Sequence, residues 1–402
     1  MSREILLIGF LFFAVCGVVR AQWEIENSDT TADLRGIDNV GGGVAWASGT
    51  SGTVLRTEDG GYLWQACAIP PGAEHLDFRG IQAFDANSAI VMSSGKGDLS
   101  RLYKTADGCH MWKLVFTNPD KDGFWDTSIM TDPNIGMLIG DPIPGGRQFR
   151  YFFMRRRLPV FPTYHTIDGG MTWTRNDHAI YLSLASKSGK TQESIFAASN
   201  SSMVFVPYGV LFVTGGKSSA LHYSQYFVDS KYFAGPLPPG CHEYCNYANE
   251  ASLKLASGKT AGGFSLAANY RVLSDNPPIE SRVVIAVGGD FKVPDATDGT
   301  AAICRPNQEG IFVRYTCEPV QTPPHGYRSA VAYDAAIKTW ITVGPNGTDI
   351  STDDGKNWRA LHPDPALQEA PDADRNWNAL SLPFVVGPHG RIGKLNPKAL
   401  AH

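Results

Sequence analysis

The chain has 402 residues, with 35 Lys+Arg against 39 Asp+Glu, a formal net charge of −4 and 18% charged residues. This near-balance excludes a broad phosphate-neutralising surface, so nucleic acid is not an expected partner. With 42 glycines, 26 prolines and 11% aromatic residues, the composition favours short strands joined by tight turns over a helical protein.

The first segment reads as a secretory leader over residues 1–21. Arg3 precedes an apolar run from Ile5 to Val19, and Val19-Arg20-Ala21 stands before Gln22, the expected mature start. The run is too short and poorly flanked for a membrane-spanning helix. No second apolar stretch could anchor the remainder, so an exported, periplasmic or extracellular monomer is expected, with residues 22–402 as one domain. Loss of the leader removes Cys16 and leaves Cys67, Cys109, Cys241, Cys245, Cys304 and Cys317, which by number alone allow about fifteen pairings. Cys304 and Cys317 flank a predicted hairpin and are the favoured disulfide, while Cys241 and Cys245 could close a small loop. Cys241-His242-Glu243-Tyr244-Cys245 could instead ligate zinc but lacks a second Cys/His pair, so no metal and no cofactor are expected.

After a spare strand at Trp23-Glu24-Ile25, the chain falls into units of four short strands. The first covers Leu34 to Ala68 and the second Phe78 to Thr117. The third opens at Phe124 and carries an insertion at about 150–162, which includes Arg155-Arg156-Arg157. This basic run reads as a solvated face or an anionic docking patch. The fourth begins at Ser194 and the fifth at Phe264, and between them the segment from Tyr232 to Lys259 reads as an irregular surface excursion. The sixth runs from Ser329 to Leu361. The last offers only three strands, within Ala379 to Leu395. The spare strand near Trp23 can supply the fourth, closing a ring without free edges. A seven-bladed, all-β propeller is predicted, with six blades as the alternative if the fourth and fifth units are one distorted blade.

Within this pattern one turn recurs. Thr57-Glu58-Asp59-Gly60-Gly61-Tyr62-Leu63-Trp64 is matched by Thr105 to Trp112, Thr166 to Trp173 and Ser351 to Trp358, all Ser/Thr-x-Asp-x-x-x-x-Trp. The Asp side chain can bond backbone N–H groups ahead of it, the glycines accept positive φ, and the Trp can pack between layers. Asp59, Trp64, Asp107, Trp112, Asp168, Trp173, Asp353 and Trp358 are therefore read as scaffold.

Ligand-binding residues are expected on the opposite face, where each blade's first strand begins. The aligned starts place Arg35, Arg79 and Arg328 on one arc of a central funnel and Asp126 and Glu193 on the other. Loops joining second to third strands add Lys96, Asp98, Arg101, Asp141, Arg147, Asp290, Lys292, His389 and Arg391. Such a bipolar surface suits a carboxylate, a phosphate, a carbohydrate or a protein partner. The chain has no Gly-x-x-x-x-Gly-Lys-Ser/Thr, paired-histidine zinc helix, Gly-x-Ser-x-Gly or dinucleotide fingerprint. Carboxylate-based glycan chemistry has no comparably strong local signature.

The Asp turns resemble the bacterial neuraminidase repeats, or Asp-boxes, of sialidases and of the photosystem II stability/assembly factor family. The closer resemblance is to exported bacterial homologues of the assembly factor, through Val44-Ala45-Trp46-Ala47-Ser48-Gly49-Thr50, Gly140-Asp141-Pro142, Val287-Gly288-Gly289-Asp290-Phe291, Gly326-Tyr327-Arg328-Ser329 and the Gly387 to Ile392 stretch. It implies a seven-bladed propeller acting as a non-catalytic binding platform, whose photosynthetic members assist photosystem assembly through a basic patch. Cys109 departs from the pattern by replacing a Gly, and blades four and five lack the turn. A sialidase-like hydrolase or a polysaccharide lyase is the alternative: Arg35, Arg79 and Arg328 would imitate an arginine triad, with Glu193 or Asp126 as catalytic carboxylates. The Arg-Ile/Leu-Pro element expected before the first box is missing, since Arg157-Leu158-Pro159 follows the second.

Overall fold

Seven antiparallel sheets, each containing a four-stranded blade, account for nearly all the regular structure. The computed structural model describes residues 22–143, 148–151, 154–157, 159–176, 180–181, 193–206, 209–228, 244–272, 279–309, 312–396 and 400. The expected leader, Arg147 and Cys241 lie outside the described residues, as does the side chain of Cys245. Among the described residues no helix is long and apolar enough to cross a membrane.

The inner strands of blades one to seven are Leu34–Gly41, Phe78–Ala83, Trp125–Met130, Met203–Val206, Ala261–Val272, Ala330–Asp334 and Ala379–Ser381. Each touches the next, and the seventh touches the first. As the hydrophobic pattern predicts, Trp23–Glu26 pairs antiparallel with Ile392–Leu395, so the two ends of the chain share blade seven. The ring is thereby closed without an open sheet edge inside it.

The core is divided among the blade interfaces. Seven apolar clusters occur among the described residues, one between each pair of successive blades. Trp46 and Val54 of blade one meet Phe78 and Tyr103 of blade two, for example, while Trp23 and Trp377 of blade seven meet Val343 and Leu361 of blade six. Second strands touch neighbours on both faces, which explains their near-continuous apolar sequences. Ala89–Ser93, Gly136–Gly140 and Gly209–Val213 are buried at every position. Burial of one large apolar side chain contributes about 1.5–3 kcal/mol, so each interface supplies a substantial share of the ring's stability.

The four Asp turns share one hydrogen-bond pattern. In the first, Thr57 Oγ1 donates to Asp59 Oδ1 at 2.8 Å, while Leu63 N donates to Asp59 Oδ1 and Gly61 N to Thr57 Oγ1, each at 3.0 Å. The last repeats it with Ser351, Asp353, Gly355 and Asn357. Two successive residues in each turn have positive φ, as at Gly60 and Gly61, a conformation that only glycine adopts without cost. Cys109 takes this position in the second turn at φ 65° and is bonded to Cys67, which joins blades one and two. The other described disulfide, Cys304–Cys317, lies across the outer hairpin of blade five, as expected.

Blade four differs from the sequence reading in two ways. Its inner strand is Met203–Val206, whereas Glu193–Ser194 pairs with Gly215–Gly216 and adds to the sheet of blade five. Its outer strand is Tyr244–Ser252, paired with Ala220–Val228, inside the stretch expected to be irregular. The outer strand lacks a clean alternation because it is packed on more than one side: Ala251 joins the apolar cluster between blades four and five, and Asn249 Nδ2 donates to Val313 O at 2.7 Å. The insertion in blade three contains a hairpin of Gln148–Tyr151 with Met154–Arg157.

Candidate functional site

The face on which inner strands begin carries most of the predicted site residues, and the structure sorts them into three groups. The first is an arginine pair bridged by a carboxylate. Arg79 Nε donates to Asp77 Oδ2 at 2.8 Å, and its Nη1 donates to Ala197 O at 3.0 Å. Arg35 Nε lies 3.3 Å from the other oxygen of Asp77, and Arg35 Nη2 lies 3.8 Å from Asp33. Both guanidinium side chains retain about 30% exposure. Arg35 Nε is buried without a hydrogen-bond partner, and the part-exposed end of the guanidinium is what remains for a ligand carboxylate or carbonyl.

A repeated β-bulge builds this group. In Asp33-Leu34-Arg35-Gly36-Ile37 and Asp77-Phe78-Arg79-Gly80-Ile81, the buried Leu34 and Phe78 anchor each strand, and pairing skips from Leu34 to Gly36 and from Phe78 to Gly80, which leaves Arg35 and Arg79 as the extra residues turned toward the preceding Asp. Asp77 was missed as a site residue, although the repeated Asp-apolar-Arg-Gly-Ile unit was a legible signal for it.

The second group is contiguous with the first. Asp33 Oδ1 accepts the backbone N–H of His389 at 3.1 Å. His389, Gly390 and Arg391, with Ile25 to Thr31 and Asn376, line an open groove of about 670 Å³. Arg391 stacks over Trp377 with 4.8 Å to the ring centroid and pairs with Asp372 at 3.2 Å. It is a fixed wall of the groove.

The third group comprises residues that do not join a funnel, and here the sequence expectation is corrected. Arg328 has no exposed surface, and its Nε donates to Asp349 Oδ2 at 2.7 Å. It ties the start of blade six to that blade's third strand and cannot complete an arc with Arg35 and Arg79. Asp126 is 1% exposed, and neither carboxylate oxygen has a hydrogen-bond partner. Burial, reinforced by the nearby Asp141, raises its pKa well above the ordinary value. Asp141 is itself raised to about 6 by burial while accepting Ile195 N at 2.9 Å. Asp290 accepts Thr260 Oγ1 at 2.7 Å and Lys292 N at 2.9 Å, which makes it a loop cap. Glu193 accepts a hydrogen bond from Thr214 at 2.8 Å and lies 2.8 Å from His222, a setting separate from that of Asp126. Lys96 and Asp122 form an exposed pair at 2.7 Å.

The funnel is also filled from within. The segment before the fourth inner strand turns into the ring, where Asn200 Nδ2 donates to Ile81 O at 3.0 Å and Thr127 Oγ1 donates to Asn200 O at 2.9 Å. The short turn Asn200–Ser202 contacts the inner strands of blades two, three and five. Gly80 permits this, since a Cβ there would stand 2.3 Å from Asn200 Oδ1. No local pattern marks Asn200 for the role, because its partners come from distant segments.

These features define a seven-bladed β-propeller with Arg35, Arg79 and the groove at His389 to Arg391 on blades seven, one and two. The chain is similar in structure to YCF48, a photosystem II assembly factor, as the sequence resemblance implies. A structure described as "YCF48 bound to D1 peptide" is 14% identical, with a TM-score of 0.52, covering 93% of this chain and 96% of that chain. YCF48 from Cyanidioschyzon merolae is 16% identical with a TM-score of 0.50, covering 94% and 100%. At these identities the likeness is one of fold. No family profile matches the chain, and no curated protein matches its sequence.

Proposed function

We propose that the protein is an exported, non-catalytic binding or assembly platform that seats a segment of a partner polypeptide across blades seven, one and two. The observation that carries this reading is Arg35, 30% exposed and held only by ion pairs at 3.3 and 3.8 Å beside the anchored Arg79. A guanidinium so placed can trade weak internal contacts for a bidentate bond to a carboxylate. The groove of about 670 Å³ beside it is lined by both polar and apolar residues, which suits a segment of polypeptide. The YCF48 structure described with a D1 peptide supports a peptide as the ligand class for this fold. Two described disulfides support passage through an oxidising compartment.

The sialidase-like alternative loses its support: Arg328 and Asp126 are buried away from any substrate, and Glu193 is engaged with His222 and Thr214. The deciding experiment is crosslinked capture from an envelope fraction of the source organism. Wild type should retain a defined partner that Arg35→Ala/Arg79→Ala loses at unchanged melting temperature. Equal capture by both proteins overturns the reading. So does glycan turnover that disappears in Glu193→Gln or Asp126→Asn.

A further inference from the structure

Blade four holds a cluster that the proposed partner surface does not use. His222, on the third strand, is 3% exposed and stacks on Phe212 with ring centroids 4.7 Å apart, with Phe161 edge-on at 5.5 Å. These rings fix the orientation of the imidazole. Its Nε2 stands 2.8 Å from Glu193 Oε2. On the neighbouring outer strand Glu250 is directly in register with His222, so both side chains leave the same face of the sheet. One ligand atom from each of Glu193, His222 and Glu250 lies within 4.8 Å of the others.

We propose that Glu193, His222 and Glu250 form a binding site for one divalent transition-metal ion of the zinc type. A tetrahedral ion bound at ~2.0–2.2 Å to nitrogen and carboxylate oxygen sets neighbouring donors about 3.4 Å apart. The His222–Glu193 pair therefore has to open by roughly half an ångström. One neutral imidazole and two carboxylates neutralise a 2+ charge, and the nitrogen donor selects zinc-like ions over calcium or magnesium. The supporting contacts are those of a metal site. Thr214 Oγ1 donates to Glu193 Oε2 at 2.8 Å and fixes that carboxylate.

A plain His–Glu ion pair accounts for Glu193 and His222 but leaves Glu250 unexplained. Among the described residues its carboxylate has no ion-pair partner of its own, yet it is aligned on the same imidazole. Glu250 is also exposed, so one side of the site opens to solvent and leaves room for water or a further ligand as the fourth donor. Glu193 sits at the base of the segment that fills the ring through Asn200, so a bound ion would pin that segment to blade four.

The test is titration of untagged protein, stripped with EDTA, with Zn²⁺, and separately with Ca²⁺. One equivalent of Zn²⁺ should bind with a dissociation constant of about micromolar or tighter, Ca²⁺ should not compete, and saturating Zn²⁺ should raise the melting temperature. Glu250→Gln is an exposed-strand change expected to fold normally, and it should weaken Zn²⁺ binding at least about tenfold with an unchanged melting temperature in EDTA. His222→Gln should abolish binding, and Co²⁺ substitution should give visible absorption bands that Glu250→Gln alters. Absence of saturable Zn²⁺ binding, tighter binding of Ca²⁺, or Zn²⁺ binding that Glu250→Gln leaves unchanged each overturns the site. None of these outcomes bears on partner capture through Arg35 and Arg79.

Discussion

Arg328 Nε bonds Asp349 Oδ2 at 2.7 Å, and neither residue exposes more than 1% of its side chain. His325 Nδ1 completes the arrangement at 2.8 Å from the other oxygen of Asp349. Burial works against both charges. For Asp349 it is outweighed by His325 and Arg328, which together hold the carboxyl below its ordinary range. Removing one partner strands the other. Arg328→Ala should lower stability by about 3–5 kcal/mol, measured by chemical denaturation. An Arg328→Met/Asp349→Leu protein should recover most of that loss, and recovery of none would show that the pair does more than neutralise itself.

The Cys67–Cys109 bond closes a chain separation of 42 residues between blades one and two. Reduction should cost about 2–4 kcal/mol through the freedom regained by the unfolded chain. Cys109 also carries a positive φ of 65°. Cys67→Ala/Cys109→Gly should therefore be more stable than Cys67→Ala/Cys109→Ala, by about 1 kcal/mol. Equal melting temperatures would contradict the strain argument.

Glu26, on the closing strand, accepts Trp64 Nε1 at 2.7 Å, and burial raises its pKa from 4.5 to about 7. The folded protein thus keeps a proton that the unfolded chain releases. Its contribution is full below about pH 4.5 and declines as pH rises through about 7. Stability should fall across that window in wild type and fall less in Glu26→Gln. A Glu26→Gln protein with the same pH profile as wild type would refute the assignment.

Asp126 has the same sign and a deeper setting, with both oxygens unpartnered and its pKa raised chiefly by burial. Its neutral form is favoured in the fold, so stability is lost as pH rises above the ordinary carboxylate range toward the raised value. Asp126→Asn should be neutral to stabilising at pH 8 and less favourable at pH 4, read as the difference in melting temperature between the two.

The fold was legible because its signals are local and repeated. The four Asp turns mark the lower end of four blades, and a three-strand remainder at Ala379 to Leu395 left a vacancy for Trp23 to Glu26. Arg35 and Arg79 were legible for the same reason, being the third residue of two copies of Asp-apolar-Arg-Gly-Ile. Blade four was less legible. Glu193 resembled an inner-strand start because strand alternation tells which face a residue takes without naming the neighbouring strand.

The sequence by itself determined the architecture: seven short-strand units, their turns, the closing strand and the Cys304–Cys317 bond all follow from period-two patterning and turn chemistry. Tertiary structure decided which charges meet. Arg328 takes the backbone place of Leu34, its N–H bonding Gly288 O as Leu34 N bonds Gly387 O, so it is sealed against Asp349, while Arg35, one residue further along its strand, faces solvent beside Asp77. Asp126 is covered, and Asn200 enters the ring from a blade that does not adjoin Ile81. A charge's environment in a closed ring is set by side chains from other strands and other blades, and the resulting difference in desolvation separates a scaffold ion pair from a binding group.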